Sequence, residues 1–144
     1  MLFQNILVPV DLSNQSTRSF KVALDIAKKY DSKMMVLTCI EVYASHHLYY
    51  QSTVISQQIK KQSKIIENHF KELESLAKKK NVSLKFKIIK SESVVKDIVS
   101  FAKSKKHDLV VIGSHGRTGF DKLLLGSVAN GVSQKIKCPI LIVK

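Results

Sequence analysis

The sequence predicts a doubly wound α/β protein with a five-stranded parallel sheet and helices on both of its faces. Three observations predict this class. Short apolar runs alternate with amphipathic helical patterns along the chain, two of the runs are apolar throughout, and one run alternates apolar residues with lysine. With 144 residues the chain has the length of one domain, so residues 1–144 are taken as a single domain.

The first half of the chain is predicted to form two strands and two helices. Asn5 to Val10 is an apolar run that ends at a turn-prone segment. A helix follows from about Ser16 to Tyr30, with Tyr30 on its apolar stripe, and Lys33 to Ile40 forms the second strand. Glu41 to about Ser52 is irregular, and a long helix then extends to Lys80.

The second half repeats the alternation. Asn81 is predicted to stop the long helix in a left-handed conformation, and Ser93 is predicted to cap the next helix. Lysines alternate with apolar residues in the third strand, as at a sheet edge with one buried face. The remaining elements are a strand at Ser83 to Lys90, a helix at about Val94 to Lys105, a strand at Asp108 to Ile112, a helix at about Ser127 to Ile136 and a strand at Ile140 to Val143.

The character of the strands predicts their order. The first and fourth strands are apolar throughout and belong at the centre, whereas the third belongs at an edge, which gives the order 3-2-1-4-5 and a Rossmann-like architecture. In that order the chain changes direction between strands one and four. Ligands of open α/β sheets bind at such a switch point, outside the carboxyl ends of the strands. Asp11 and Gly113 follow those two ends, so a ligand crevice is predicted between them.

A glycine loop follows the fourth strand, with the spacing Gly113-x2-Gly116-x9-Gly126-Ser127. Glycine supplies positive φ and lets a ligand approach the backbone, and a helix N-terminus offers unpaired N–H groups and partial positive charge. Together these features predict an anion site, and phosphate before other anions. The spacing matches neither the Walker loop nor the dinucleotide fingerprint. An ordinary turn before a capped helix is the alternative interpretation.

The complete set of motifs resembles the universal stress protein family, in the subgroup that holds ATP. The similarity covers essentially the whole chain: the opening strand Ile6 to Asp11, the strand Asp108 to Gly113, the glycine loop, and the closing segment Cys138 to Val143. Two glycines at this spacing are weak alone, but the full set in this order is specific. The chain departs from the family mainly in its basic long-helix region, outside the implied pocket.

The resemblance implies the composition of a nucleotide site. The Pro-x-Asp segment would flank the nucleoside, the end of the second strand would pair its backbone with the adenine edge, and the glycine loop and last helix would hold the phosphates. It implies ATP with Mg²⁺ or Mn²⁺ on the phosphates and a regulatory or stress-response role; we expect no enzyme, with slow ATP hydrolysis left open. The implied binding residues are Pro9, Val10, Asp11, Ile40, Ile112, Gly113, Ser114, His115, Gly116, Gly126, Ser127 and Val128.

Several residues near the site have two interpretations. Asp11 either contacts a ribose or phosphate-bound metal, or forms an Asx-type cap for the following helix. His115 either touches phosphate or faces solvent. Arg117 is a candidate phosphate clamp whose direction the sequence does not set, and a solvated side chain is favoured for Lys122. His46-His47 has no third ligand at metal-site spacing, so a surface loop is favoured there.

The net charge of +13, from 24 basic and 11 acidic residues, keeps nucleic acid among the partners to be considered. The lysines are scattered over helix faces, with one short cluster at Lys78-Lys79-Lys80. The sequence has no interleaving of aromatic and basic residues of the kind that stacks bases. Nucleic acid is therefore the less favoured partner, and a basic nucleic-acid binder is the third hypothesis for function.

The last strand predicts a homodimer. Ile140 to Val143 is apolar and lies at a sheet edge, which is an association hazard unless it is covered. The resemblance also implies pairing through this strand, which would bury Ile140 and Ile142. A dimeric interaction module with a vestigial crevice is therefore the alternative to nucleotide binding.

The sequence also predicts a cytoplasmic protein that does not associate with a membrane. Met1 to Gln4 lacks the basic leader of a signal peptide, and no apolar run reaches the length of a membrane helix. Cys39 and Cys138 lie in or beside apolar strand patterns rather than in a Cys-x-x-Cys pair. Buried thiols in a reducing compartment are the favoured interpretation.

Overall fold

The computed structural model describes residues 2–43, 52–117 and 125–144, and its five strands form one parallel sheet in the order β3-β2-β1-β4-β5. This confirms the predicted fold class and strand order. The strands are β1 (Asn5–Pro9), β2 (Lys33–Glu41), β3 (Ser83–Ser91), β4 (Leu109–Gly113) and β5 (Ile140–Val143). The helices in the described ranges are α1 (Asn14–Tyr30), α2 (Ser52–Lys79), α3 (Val94–Ser104) and α4 (Ser127–Lys135).

Most element boundaries lie within one or two residues of those predicted. The main differences are an earlier start of α1, the extension of β2 to Glu41, and the inclusion of Gly113 in β4. Most of the predicted irregular segment, with His46-His47, lies outside the described residues, as do Gly119 and Lys122.

Each face of the sheet buries its own apolar cluster because successive strand residues point to opposite sides. Ile6 and Val8 of β1 pack with α1 and α2, whereas Leu7 between them packs with α3 and α4. All three side chains are fully buried. The central strands therefore read as continuous apolar runs, as expected for a parallel sheet covered on both faces.

The boundaries of α1 follow from local chemistry, with one departure from the predicted stripe. The Ser13 hydroxyl caps the helix by accepting a hydrogen bond from the Ser16 N–H at 3.1 Å, and Asp31 ends it in a left-handed conformation. Tyr30 does not face the core: it is 44% exposed and makes an edge contact with Phe3, with ring centroids 5.6 Å apart. At this last helical turn the Phe3 ring packs against Tyr30, and the Lys29 Nζ lies 5.8 Å from the centroid of the Tyr30 ring.

The edge strand β3 has the predicted one-sided burial. Phe86 stacks on Phe70 of α2 with centroids 4.4 Å apart, while Lys85 and Lys87 are exposed. Asn81, with φ of 56°, is left-handed just after α2, as predicted. None of the helices in the described ranges is long and apolar enough to cross a membrane.

Ser93 occupies the predicted cap position of α3, but the predicted side-chain cap is absent. Its backbone is extended, and the Ser93 hydroxyl makes no capping hydrogen bond, although its carbonyl accepts the Asp97 N–H at 3.0 Å. The helix start is thus defined by the backbone turn rather than by the serine side chain.

The sheet splits where the site is expected. β1 and β4 pair only through Ile6↔Leu109 and Leu7↔Val110, whereas β4 continues to pair with β5 as far as Gly113↔Val143. The carboxyl ends of β1 and β4 are therefore not paired with each other, and this is the switch point at which the crevice is predicted. At the opposite end the Asp108 carboxylate joins the two strands by accepting the N–H groups of Gln4 and Asn5 at 2.8 and 2.9 Å.

Candidate functional site

Asp11 follows β1 and is held in a turn that leads into α1. Its Oδ1 accepts hydrogen bonds from the Ser13 N–H, at 3.0 Å, and from the Ser13 hydroxyl. This is the Asx-type arrangement considered from the sequence, with Ser13 rather than Asp11 as the helix cap. One carboxylate oxygen is thereby fixed by the chain, and the position of the other is fixed with it.

The second oxygen of Asp11 faces the glycine loop. The Arg117 N–H donates to Oδ2 at 3.1 Å, and the Arg117 Nε donates to the Asp11 carbonyl at 2.7 Å. At Gly116 a Cβ would lie 2.5 Å from Oδ2, closer than real contacts allow. Gly116 therefore lets the loop close onto Asp11, and the sequence alone did not set the direction of Arg117 that the structure gives.

The beginning of the loop, at Ser114 and His115, lies against the start of α4. The Gly126 N–H donates to the Ser114 carbonyl at 2.7 Å, and a Cβ at Gly126 would lie 2.9 Å from that oxygen. Gly126 is the N-cap and supplies no side-chain cap. The first N–H groups of a helix have no intrahelical acceptor, so those of Ser127 and Val128 form the positive end of α4 beside the loop.

The glycines of the loop permit close contacts with other parts of the chain. The predicted role of glycine in supplying positive φ is wrong for the glycines that the structure describes. None of the glycines in the described ranges has positive φ. At Gly113, a Cβ would lie 3.0 Å from the Gln15 Cγ and 3.2 Å from the Gln15 carbonyl oxygen. Gly113, Gly116 and Gly126 thus each touch a different part of the chain that a side chain would displace.

Ser114 is 2% exposed, and the chain itself engages its polar groups. Its N–H donates to the Val143 carbonyl at 2.8 Å, and its hydroxyl lies 3.0 Å from both the Gln15 Nε2 and the His115 Nδ1. Gln15 also donates to the Val143 carbonyl at 3.2 Å. Ser114 therefore connects the start of the loop to α1 and to the end of β5. Gln15 is a site residue that the sequence analysis missed.

The walls of the crevice come from the predicted apolar positions. Pro9 is the last residue of β1, and the Val10 N–H donates to the Leu37 carbonyl at 2.9 Å. Beyond Leu37, the last residue of β2 that pairs with β1, β2 continues to Glu41. Ile40 therefore lies beyond the end of β1 and pairs on its other side with Lys90 of β3.

The β4 wall is equally enclosed. Ile112 is 5% exposed and packs in the cluster beneath α3 and α4, and Gly113 after it is buried. His115 is half-buried and Gly116 is exposed, so the loop rises from the sheet into the open within three residues.

Both cysteines in the described ranges are free thiols, each half-buried. Burial raises the pKa of the Cys39 thiol to about 12, with the nearby carboxylates of Asp97 and Glu41 adding to the shift. Burial likewise raises the pKa of Cys138. The described part of the chain holds no cluster of three or more His, Cys, Asp or Glu residues that could bind a metal ion.

The fold and these contacts define a class: a doubly wound α/β domain whose switch point carries a glycine loop closed onto an aspartate and onto a helix start. Comparison with known proteins gives the family. Residues 2–144 match the model of the universal stress protein family, and the chain belongs to that family. A universal stress protein of Methanocaldococcus jannaschii is 31% identical over 145 residues, covering 99% of this chain and 83% of the relative. The universal stress protein YxiE of Bacillus subtilis is 31% identical over 157 residues, covering 99% of this chain and all of the relative.

Solved structures show the same fold at lower identity. The universal stress protein UspA from Lactobacillus plantarum superposes with a TM-score of 0.89 at 21% identity, covering 100% of this chain and 99% of that one. A universal stress protein in complex with cAMP has a TM-score of 0.71 at 24% identity, covering 99% and 98%. The universal stress protein from Archaeoglobus fulgidus in complex with dAMP has a TM-score of 0.66 at 21% identity, with full coverage of both chains.

Proposed function

We propose that this protein binds ATP, with Mg²⁺ or Mn²⁺ on the phosphates, at the carboxyl ends of β1 and β4. In this proposal it acts as a nucleotide-dependent regulatory or stress-response protein. The observation that carries the proposal is the closure of the glycine loop onto Asp11 at one end and onto the start of α4 at the other. Two fold neighbours, the proteins solved with cAMP and dAMP, hold adenine nucleotides, which supports an adenine base in this crevice.

The phosphates are assigned to the start of α4 and the loop. The N–H groups of Ser127 and Val128 lie at the start of α4, and the N-cap of this helix, Gly126, has no side chain that could accept hydrogen bonds from them. The exposed backbone of Gly116 lies on the same side of Asp11 as the Arg117 N–H. A chain of phosphates between these groups would meet donors along its length, which suits a polyphosphate.

The nucleoside is assigned to the β1 and β2 ends. Asp11 provides a carboxylate beside the loop for a ribose hydroxyl or a phosphate-bound metal, and Pro9 and Val10 form the wall behind it. Ile40 lies where β2 extends beyond β1, so its backbone is available to the adenine edge. The divalent metal would be held mainly by phosphate oxygens.

We propose binding rather than catalysis as the purpose of the site. Hydrolysis of ATP needs a group that positions or deprotonates water. Oδ1 of Asp11 accepts two hydrogen bonds from Ser13 and Oδ2 accepts one from Arg117, so this carboxylate mainly holds the turn and the loop together, and its remaining acceptor position is the one assigned above to the ribose or the metal. A slow turnover of bound ATP is compatible with the proposal.

We further propose a homodimer through β5. This strand lies at the edge of the sheet, and Leu141 is 38% exposed there while Ile140 and Ile142 are half-buried against the α3–α4 cluster. An apolar edge strand favours pairing with another strand. A second copy joined through β5 would cover Leu141 and bury Ile140 and Ile142 further.

The test of nucleotide binding has two parts. Small molecules released by denaturing freshly purified protein are identified by mass spectrometry, and the stripped protein is titrated with ATP and Mg²⁺ by calorimetry. We expect released or titrated ATP close to one per chain. If no adenine nucleotide is released and no heat of binding is seen, the glycine loop is a structural turn, and the dimeric interaction module becomes the better description.

A further inference from the structure

The fold gathers at one end of the molecule many lysines that lie far apart in the sequence. The strands of the sheet run in one direction and the connecting helices run back, so all four helices end beside the amino ends of the strands. Ten lysines lie in the last turns of these helices or just after them, within residues 28–29, 78–80, 103–106 and 135–137. These four segments form the basic end, which lies opposite the glycine loop at the carboxyl end of β4.

Hydrogen bonds and an ion pair join these segments to one another and to the start of the sheet. The Lys33 N–H, which follows α1, donates to the Gln4 carbonyl at 2.8 Å, and the Asp108 N–H, which follows α3, donates to the Asn5 carbonyl at 3.0 Å. The Lys80 ammonium, which follows α2, contacts the Asp25 carboxylate of α1. The helix ends therefore form one surface with the starts of the strands.

Acidic residues do not balance the basic end. The last four residues of each helix and the segment up to the next strand, 27–32, 76–82, 101–108 and 132–139, hold these ten lysines but only two acidic residues, Asp31 and Asp108. The Asp108 carboxylate already accepts two backbone N–H groups. Lys78 pairs with Glu74 at 3.7 Å and Lys80 with Asp25, whereas the other eight lysines have no carboxylate partner in the described part of the chain.

The helix dipoles alone do not account for this excess of charge. Cations at a helix C-terminus and anions at its N-terminus stabilise a helix by the same interaction. The first turns of α1, α2 and α4 nevertheless carry no acidic residue, and that of α3 carries one, Asp97. The charge is therefore concentrated at one end of the molecule instead of being divided between the two ends of each helix.

The positive charge continues from the basic end onto the outer strand of the sheet. Lys85 pairs with Met35, and Lys87 pairs with Leu37. Met35 and Leu37 pack in the cluster beneath α3 and α4, so the two lysine side chains point to that face of the sheet. Lys33, two residues before Met35, points to the same face, and all three lysines are exposed. A line of lysines thus turns from the end of the molecule onto the face of β3.

We propose that the basic end, together with Lys33, Lys85 and Lys87, binds single-stranded nucleic acid through its phosphates and without sequence preference. The cores of protein interfaces are depleted of lysine, so an acidic protein fits this surface poorly. A membrane is planar and cannot follow a line of charge that turns from one side of the molecule onto another. A flexible strand with regularly spaced phosphates can follow it.

The probe is a fluorescent oligothymidylate of about 20 nucleotides, which is longer than the usual binding site of a single-strand binding domain. Its Kd is measured by fluorescence anisotropy between about 50 and 200 mM salt. Each phosphate contact with a single strand contributes about −0.7 to the slope of log affinity against log salt. We expect four or more contacts, and therefore a slope of about −3 or steeper.

Two paired substitutions test the two parts of the surface. Lys103→Gln with Lys105→Gln removes charge from the basic end, and Lys85→Gln with Lys87→Gln removes it from β3 without altering the end of a helix. We expect each pair to weaken binding at least about tenfold at 50 mM salt and to make the slope shallower by about 1.4, the contribution of two phosphate contacts.

Lys60→Gln with Lys61→Gln is the matched control. Both lysines are exposed in the first half of α2, away from the basic end, and the pair removes the same net charge. We expect the control to leave the slope unchanged and to alter the Kd less than about twofold. Thermal unfolding of all three variants checks that each is folded.

The proposal is wrong if the oligonucleotide shows no binding at 50 mM salt, or if the three pairs of substitutions weaken binding equally, since binding would then follow net charge alone. Vesicles containing phosphatidylserine and poly-glutamate are titrated at the same salt concentrations. Tighter binding of the vesicles would identify the surface as a membrane contact, tighter binding of poly-glutamate would identify it as a contact for acidic proteins, and either result would overturn the proposal. Because the basic end and the glycine loop lie at opposite ends of the sheet, failure of either proposal leaves the other standing.

Discussion

A methyl group added at Gly116 probes the closure of the loop onto Asp11. In Gly116→Ala the new Cβ would start 2.5 Å from Asp11 Oδ2, and ordinary contacts begin at 3.4 Å, so about 0.9 Å of separation must open. The carboxylate cannot simply retreat, because Oδ1 is held by the N–H and hydroxyl of Ser13. The loop must therefore move outward, which breaks the 3.1 Å hydrogen bond from the Arg117 N–H.

The size of the effect follows from that hydrogen bond and the displacement. A hydrogen bond of this kind contributes about 1 kcal/mol net, and a loop moved by most of an ångström presents its N–H groups poorly to a phosphate. We expect a loss of about 1.5 to 3 kcal/mol in ATP binding, which is roughly a 10- to 150-fold rise in Kd. Gly116→Val should lose more, because its branched side chain needs more room.

The assay is calorimetric titration with ATP and Mg²⁺, with thermal unfolding measured beside it. Gly131→Ala is the steric control: its Cβ would lie 2.8 Å from the Val95 Cγ2 in the α3–α4 contact, so we expect a change in Tm without a change in Kd. In a background of Asp11→Ala the methyl at Gly116 should add little further loss, since its obstacle is gone. Unchanged ATP affinity in Gly116→Ala would refute the assignment of the loop.

Three further predictions test other parts of the molecule. Burial lowers the pKa of His107 below its ordinary 6.5, so the folded state favours the neutral ring. The stability that follows is present above about pH 6.5 and is lost as the pH falls below that value. Urea unfolding should show this loss in the wild type and less of it in His107→Gln, and an equal pH dependence of the two free energies of unfolding would contradict the prediction. Burial raises the pKa of Cys39 to about 12, so iodoacetamide should label Cys39 far more slowly in the folded protein than in urea at about pH 8, and equal rates would show that the thiol is reactive. Leu141→Asp should convert the proposed dimer to a folded monomer in sedimentation experiments, and a dimer of unchanged affinity would exclude β5 as the contact.

Strand order could be predicted because the burial of each strand determines that strand's own pattern of apolar and polar residues. Ile6 to Val8 is apolar on both sides, whereas Lys85 and Lys87 alternate with apolar residues, and these patterns alone place β1 inside and β3 at the edge. The predicted position of the crevice followed from the order, since Asp11 comes just after β1 and Gly113 is the last residue of β4. No knowledge of a ligand was needed for either step.

The contact of Gln15 with the loop could not be predicted, for a physical reason. Gln15 meets Ser114 and Val143, which are 99 and 128 residues away along the chain, and a glutamine in the first turn of a helix has no pattern that marks it as buried or functional. The predictions for the side chains of Ser93 and Tyr30 were wrong for a related reason. Their positions in the helices were local properties that the sequence predicts, but the sequence does not determine that the Ser93 hydroxyl makes no capping hydrogen bond or that Tyr30 packs on Phe3.

The spaced glycines acquire a different meaning once their neighbours are known. A phosphate loop is usually explained by the room that glycine leaves for the ligand. Here Gly113 leaves room for Gln15, Gly116 for Asp11 and Gly126 for the Ser114 carbonyl, all within the chain itself. In the described parts of the loop, residues 113–117 and 125–126, the spacing therefore specifies close contacts with the aspartate and the helix start before any ligand arrives. Contacts that already exist need not be ordered on binding, and this is why substitutions at these glycines should weaken nucleotide binding even where the new side chain never touches the nucleotide.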